Sequence, residues 1–211
     1  MKLTIFAATG GIGRQLLRQA VASGHEVTAV VRDPNAFRGE VRTVRTDLLT
    51  ADPDVLRAAV DGADAVLSGL GPRHRADTGI VSAGTRAIID AMLAGTARRL
   101  VIVSVAGIGL PRAVRHRPVR ERVLSGIAGV VMRKHYADIA TVESMLRATD
   151  LDWTSVGVPL LNDDPPIGTY RVAVGEELPQ AHRLARADAA ACMLATLEQP
   201  ETIRQTLAVA Y

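Results

Sequence analysis

Three glycines within four residues, Gly10, Gly11 and Gly13, interrupt the apolar start of this chain. The preceding Leu-Thr-Ile-Phe at positions 3–6 is typical of a buried strand, and residues 11–22 carry apolar side chains at helical spacing. Glycine weakens the interior of strands and helices, so its concentration at a strand–helix junction requires an explanation. Such a junction presents unpaired N–H groups at the positive end of the helix dipole, which favours a bound phosphate.

The glycines have separate expected roles in such a turn. Gly10 lets the backbone approach a pyrophosphate, and Gly13 lets the helix pack closely on the strand. Ala7 stands where the usual dinucleotide fingerprint has its first glycine. The alternative is a turn that only connects strand to helix, and the β-α-β context favours the phosphate site over it. The residues predicted to bind the dinucleotide here are Thr9, Gly10, Gly11, Ile12 and Gly13.

Short β-rich runs alternate with helical patterns along most of the chain, which predicts an α/β fold with a doubly wound parallel sheet, the Rossmann arrangement. The predicted strands cover residues 3–6, 27–31, 41–46, 65–67, 99–105, 152–156, 170–174 and 206–210. The predicted helices cover residues 11–22, 52–60, 81–93, 134–148 and 186–197. We expect one domain over residues 1–211, with a small substrate-side elaboration over about residues 159–211, where the pattern loosens.

Composition restricts the class of protein. Apolar residues make up 48% of the chain and charged residues 22%, which is typical of a soluble globular protein. The N-terminal apolar run is too short for a signal peptide or a membrane span, and the single cysteine, Cys192, excludes an intrachain disulfide. A net charge of +3, without aromatic residues among the basic ones, argues against nucleic acid. We expect a cytoplasmic monomer or homodimer that binds neither nucleic acid nor membrane.

The end of the second strand carries the residues expected to select the dinucleotide. Arg32 and Asp33 lie about twenty residues beyond the glycines, where an acidic side chain holds the ribose hydroxyls of NAD. An arginine there pairs instead with the 2′-phosphate of NADP, and Arg14 on the first helical turn would add a second positive charge. The position of Arg32 favours NADP. In the alternative, Asp33 binds the ribose and Arg32 is a solvated surface charge.

Two further segments follow strands and so should reach the carboxyl edge of the sheet, where ligands bind in α/β folds. Asp47 and Leu48 would flank the adenine, although an aspartate that only leads into the next helix fits equally well. Gly69 and Gly71 would let the cofactor pass close to the backbone, or would simply form a turn.

The same edge should receive the ends of the fifth and sixth strands. Ser104 is placed to touch a nicotinamide or a substrate, and a hydroxyl bonded to its own backbone is an equal alternative. The turn at Pro159 could cover the nicotinamide.

Several of these motifs together resemble the atypical short-chain dehydrogenase/reductases. Within that group the chain is similar to the small NAD(P)-binding proteins of the biliverdin reductase B (flavin reductase) kind and to the NmrA-like proteins. The resemblance implies NADPH binding by Gly10, Gly13 and Arg32, and a nicotinamide near Ser104 and Pro159. The motifs are TGGIGR at 9–14, GHEV at 24–27, VVRDP at 30–34, DL at 47–48, LRATDLDWT at 146–154 and LARADAA at 184–190.

The resemblance leaves two functions open. Flavin-reductase-like members pass hydride from NADPH to flavins and linear tetrapyrroles, whereas an NmrA-like protein would bind the dinucleotide and report redox state without catalysis. Short-chain dehydrogenases proper use a Tyr with a Lys four residues later as proton donor, but Tyr136 is followed by Ala140 and Tyr170 by Val174. We therefore predict an NADPH-dependent reductase without this pair that acts on a planar flavin- or tetrapyrrole-like acceptor, with Ser104 as the candidate catalytic residue.

Basic residues between positions 112 and 134 bear on the acceptor. The arginines at 112, 115, 117 and 120 could attract a propionate or a flavin phosphate, in which case the small-molecule acceptor would be anionic. The favoured alternative is that these arginines belong to a solvated loop. The five histidines show no metal-ligand spacing, so we expect no metal site.

Overall fold

The computed structural model describes residues 1–34, 41–72, 77–108 and 133–211, with side chains in the last range from residue 135 onward. The strands in these ranges are β1 (Lys2–Phe6), β2 (Glu26–Val31), β3 (Arg42–Arg45), β4 (Ala65–Ser68), β5 (Arg99–Val105), β6 (Asp152–Val158), β7 (Leu160–Asn162), β8 (Arg171–Val174), β9 (Arg183–Ala185) and β10 (Gln205–Ala210). The α-helices are α1 (Gly11–Ala22), α2 (Pro53–Val60), α3 (Ile80–Leu93), α4 (Arg133–Arg147) and α5 (Arg186–Ala195). Two 3₁₀ turns, Thr196–Glu198 and Pro200–Thr202, follow α5.

The main sheet has the strand order β3-β2-β1-β4-β5-β6-β10-β8. Neighbours from β3 through β10 pair in parallel, and β8 pairs antiparallel with β10 at the edge. The chain runs outward from β1 to β3 on one side and continues from β4 on the other. The strand order therefore reverses between β1 and β4, the place where doubly wound sheets bind ligands. The predicted α/β doubly wound fold is confirmed.

Apolar layers cover both faces of the sheet. Leu3 and Ile5 of β1 join the layer formed with α1 and α5, whereas Phe6 joins the layer formed with α2, α3 and α4. This alternation is the two-residue period of a strand, and burial on both faces explains why the parallel strands read as nearly continuous apolar runs. No helix in the described ranges has the length and apolar character needed to cross a membrane.

The predicted elements are all present, with shifts at their ends. Asp52 is the N-cap of α2 rather than its first residue, because its Oδ1 accepts from the N–H of Asp54 at 2.9 Å. The last helix stops at Ala195 and tightens into a 3₁₀ turn. The short strands β7 and β9, which pair in parallel with each other, were not predicted.

Candidate functional site

A cleft of about 750 Å³ opens at the carboxyl edge of the sheet, at the ends of β1 and β4, between which the strand order reverses. It gathers residues predicted from widely separated segments. The predicted residues that line it are Thr9, Gly10, Gly11, Ile12, Arg14, Arg32, Asp47, Leu48, Gly69, Gly71 and Ser104. Gly13 and Pro159 are described but lie outside this lining, although Val158, next to Pro159, contributes to it.

The glycine turn leaves the N-terminus of α1 open. Gly10 is the N-cap in an extended conformation, no side chain caps the helix, and its first turn contains no acidic residue. The Gly10 N–H donates to the Ala7 carbonyl at 2.8 Å, which closes the turn. Ala7 has φ +54°, so the residue at the first fingerprint position keeps the left-handed conformation that glycine adopts without strain. The remaining donors of the turn suit an anion.

Two glycines of the site serve packing. A Cβ on Gly13 would lie 2.0 Å from the Ala7 carbonyl oxygen, and a Cβ on Gly69 would lie 2.7 Å from the Gly13 nitrogen. Both obstacles are backbone atoms, so α1, β1 and the end of β4 can approach this closely only without side chains at these positions.

Two predicted arginines line the cleft from separate segments of the chain. Arg32 is exposed just after β2 and lines the cleft. Arg14 is also exposed, and its Nη2 donates to the Thr9 carbonyl at 3.0 Å, which ties its guanidinium to the turn. Asp47 lines the cleft while its Oδ1 accepts from the N–H of Leu49 at 3.0 Å, so this carboxylate also shapes the loop after β3.

Ser104 lies at the other end of the cleft, over a buried carboxylate. Its Oγ donates to Oε1 of Glu143 at 3.4 Å. Glu143, only 1% exposed, also accepts from the Ser155 hydroxyl and from Thr206 Oγ1 at 2.9 Å, and it pairs with Arg147 at 3.4 Å. A hydroxyl that donates into the protein presents lone pairs rather than a proton to the cleft. In this arrangement Ser104 can orient a bound ring by accepting a hydrogen bond.

The sequence analysis missed Arg186 as a site residue. It lines the cleft at the glycine turn and pairs with Asp163, with 2.9 Å between Nη1 and Oδ1. The parallel pairing of β7 with β9 matches Asn162 with Ala185, so the residues that follow, Asp163 and Arg186, become neighbours. The motif at 184–190 contains Arg186, but its contact depends on two strands of three residues, too short to show a period.

Asp188, from the same motif, has a structural role. This buried carboxylate accepts from the N–H groups of Ile167 at 2.8 Å and Gly168 at 3.1 Å, and from the Tyr211 hydroxyl. It therefore fixes the loop that follows β7 onto α5. The arginines at 112, 115, 117 and 120 lie outside the described residues. Within the described ranges, no group of three or more His, Cys, Asp or Glu residues is placed to hold a metal ion.

The uncapped helix, the glycine turn and a cleft at the strand-order reversal define a dinucleotide-binding α/β protein. Residues 7–200 match the model of the NAD(P)H-binding family, and the chain belongs to this family. The cavity and the turn fit such a cofactor, because the uncapped start of α1 lines the cleft together with positively charged side chains.

Other proteins resemble this chain in part of its sequence or in its fold. The uncharacterized protein YwnB of Bacillus subtilis (strain 168) is 31% identical over 110 residues, 51% of this chain, and this chain spans 48% of that protein's length. ChuY, an anaerobilin reductase of Escherichia coli O157:H7, has a TM-score of 0.80 at 22% identity, covering 100% of this chain and 97% of that one. A candidate NADH-flavin reductase of Streptococcus pneumoniae TIGR4 has a TM-score of 0.77 at 23% identity, covering 100% and 99%. At these identities the two structures show the fold, and the family match shows the NAD(P)H-binding character that the sequence resemblance implied.

Proposed function

We propose that this protein is an NADPH-dependent reductase that transfers hydride to a planar acceptor of the flavin or tetrapyrrole type. One observation carries the proposal. A single cleft joins the predicted cofactor residues to an apolar end formed by the ends of β5 and β6, by β7 and by α4. The described residues at that end are Val103, Ser104, Val105, Ile139, Val158 and Leu161.

The chemistry at this end restricts the acceptor. The described residues there include no Tyr or Lys to protonate a developing alkoxide, and Ser104 directs its proton to Glu143. A reduced flavin or tetrapyrrole can take its proton from water, so its reduction needs no such donor. The site therefore favours planar conjugated acceptors over ketones.

In this reaction the protein would bind NADPH and the acceptor and orient them towards each other. Bound NADPH would supply the hydride. The backbone N–H groups at Gly11 and Ile12, in the first turn of α1, would hold the pyrophosphate and Arg32 the 2′-phosphate. Ser104 would accept a hydrogen bond from the ring system, and Val158 would form the wall against which the rings lie. These contacts would exclude water from the reacting face.

A non-catalytic sensor of the NmrA-like kind is the second candidate. The observation that favours it is the same absence of a proton donor among the described residues at the Ser104 end. A sensor would bind the dinucleotide tightly and transfer no hydride to added acceptors.

The decisive experiment follows NADPH oxidation with FMN, FAD, riboflavin, biliverdin and a panel of ketones. We expect turnover with at least one flavin or tetrapyrrole and none with ketones. Ser104→Ala should lower kcat while NADPH affinity stays nearly unchanged, and Ser144→Ala, on the exposed face of α4, serves as the matched control. Tight NADPH binding without turnover on any acceptor would replace the reductase with the sensor.

A further inference from the structure

The side chain of Arg186 crosses the glycine turn. A Cβ placed on Gly11 would come within 2.7 Å of Arg186 Nε and 2.8 Å of its Cδ. Arg186 is the first residue of α5, and Ala185 before it ends β9. Its position over the turn is therefore set by regular structure, because α5 packs beside α1 in the same apolar layer.

The partner of Arg186 is easily released. The Asp163 side chain is 83% exposed, whereas that of Arg186 is 28% exposed. An ion pair with one strongly solvated member contributes little, about 0–1 kcal/mol. The Arg186 side chain is held mainly by its packing against the turn, and its carboxylate partner can return to water at small cost.

The positive charges around the N-terminus of α1 favour a bound anion beside Arg186. Arg186 lies beside the N-terminus of α1, which carries the positive end of the helix dipole and no acidic residue in its first turn. Arg14 lines the same part of the cleft. Asp163 is the carboxylate that pairs with Arg186, and a pyrophosphate seated on the turn would carry more negative charge and meet the guanidinium with matched geometry.

We propose that Arg186 is a further dinucleotide-binding residue whose guanidinium exchanges Asp163 for the pyrophosphate and clamps it against Gly10 and Gly11. Gly11 then has a specific role, because any side chain there would displace the clamp. The inference rests on the dinucleotide binding of the proposed function and is independent of the acceptor. Since NADH and NADPH share the pyrophosphate, Arg186 contributes equally to both.

Calorimetric titration of the full chain with NADPH and with NADH tests the clamp. Arg186→Ala should weaken both dinucleotides by about tenfold or more, and to the same extent, through loss of charge-assisted hydrogen bonds. Arg186→Lys keeps the charge but loses the planar fork, so its affinity for each dinucleotide should lie between those of the wild type and of Arg186→Ala. Asp163→Asn should strengthen binding of both, because it removes the competing carboxylate.

The matched control is Arg57→Ala. Arg57 is exposed on α2 and pairs with Asp54 at 3.5 Å, outside the cleft lining, so its removal changes the protein charge equally without touching the turn. Thermal unfolding confirms that each variant is folded. The clamp is overturned if Arg186→Ala binds both dinucleotides as the wild type does, or if Arg57→Ala weakens them as much. Because calorimetry needs no turnover, a protein that binds through Arg186 yet reduces no acceptor would refute the proposed reductase and leave the clamp standing.

Discussion

Arg32 decides between the two dinucleotides in the proposed function. It is exposed at the end of β2, where a 2′-phosphate would lie. We expect the wild type to bind NADPH at least about tenfold more tightly than NADH, a difference of about 1.4 kcal/mol. Arg32→Ala should remove most of this difference by weakening NADPH, with NADH nearly unchanged, as measured by calorimetry. Equal affinities in the wild type would instead favour Asp33 as a ribose ligand.

Gly13 acts through packing. Gly13→Ala would bring its Cβ into the backbone of Ala7 and Ala8, which cannot move without shifting β1. We expect the free energy of unfolding to fall by about 3 kcal/mol. Gly71→Ala is the control, because a Cβ there meets no atom within 4 Å, and it should change stability by less than about 0.5 kcal/mol. Urea unfolding measures both, and similar losses would contradict the packing role.

At the scale of elements, Glu143 joins α4 to three adjacent strands. Its carboxylate accepts from Ser104 on β5, Ser155 on β6 and Thr206 on β10. Glu143→Ala would leave buried hydroxyls without a partner, at a cost of about 1–3 kcal/mol for each group. We expect unfolding to become easier by about 3 kcal/mol or more.

Ser144→Ala is the matched change on the same helix. Its Oγ donates to the Ala140 carbonyl on the exposed face, so its removal should be nearly neutral. Denaturant unfolding measures the loss in the free energy of unfolding for Glu143→Ala and for Ser144→Ala. A Glu143→Ala protein as stable as Ser144→Ala would mean that the carboxylate contributes nothing to the attachment of α4.

The elements also show what the sequence could and could not predict. Strands such as β5, which is long and covered on both faces, can be predicted because nearly all of their residues are apolar. The glycine turn and Arg32 are visible because their positions relative to strand ends have a fixed meaning. Glu143 and Arg186 are not, because each works through partners that only the folded sheet brings near, at separations of 12 to 63 residues for Glu143's hydroxyl donors.

At the scale of the whole molecule, the two edges of the sheet differ. At the amino edge, Arg99 donates to the carbonyls of Asp152 and Thr196 and to the hydroxyls of Thr154 and Thr202. This network joins β5, β6 and the 3₁₀ turns, and burial lowers the pKa of the Arg99 guanidinium. The carboxyl edge instead keeps open donors at the glycine turn. Polar groups at the amino edge thus hold the fold together, whereas those at the carboxyl edge remain available to a ligand.

Two ionisable side chains in and against the core between α1 and α5 should make the protein less stable at alkaline pH. Burial raises the pKa of the Cys192 thiol from 9.0 to about 12, and that of Tyr170 from 10.0 to about 12, in the second case mainly through burial and then through Cys192 and Asp188. Each group ionises more readily in the unfolded chain than in the folded one. The stability that they contribute is therefore complete below about pH 9 and is lost as the pH rises towards 12.

Urea unfolding at about pH 8 and about pH 10 measures this effect, with Cys192→Ala as the comparison. At about one pH unit above the thiol's unfolded pKa, the wild type should lose about 1.4 kcal/mol more between the two conditions than the variant does. The variant should be less stable than the wild type at the lower pH, because it leaves a small cavity beside α1. That baseline loss cancels in the comparison of the two pH values. An identical loss in both proteins would show that Cys192 ionises as easily folded as unfolded, and would contradict its burial in this core.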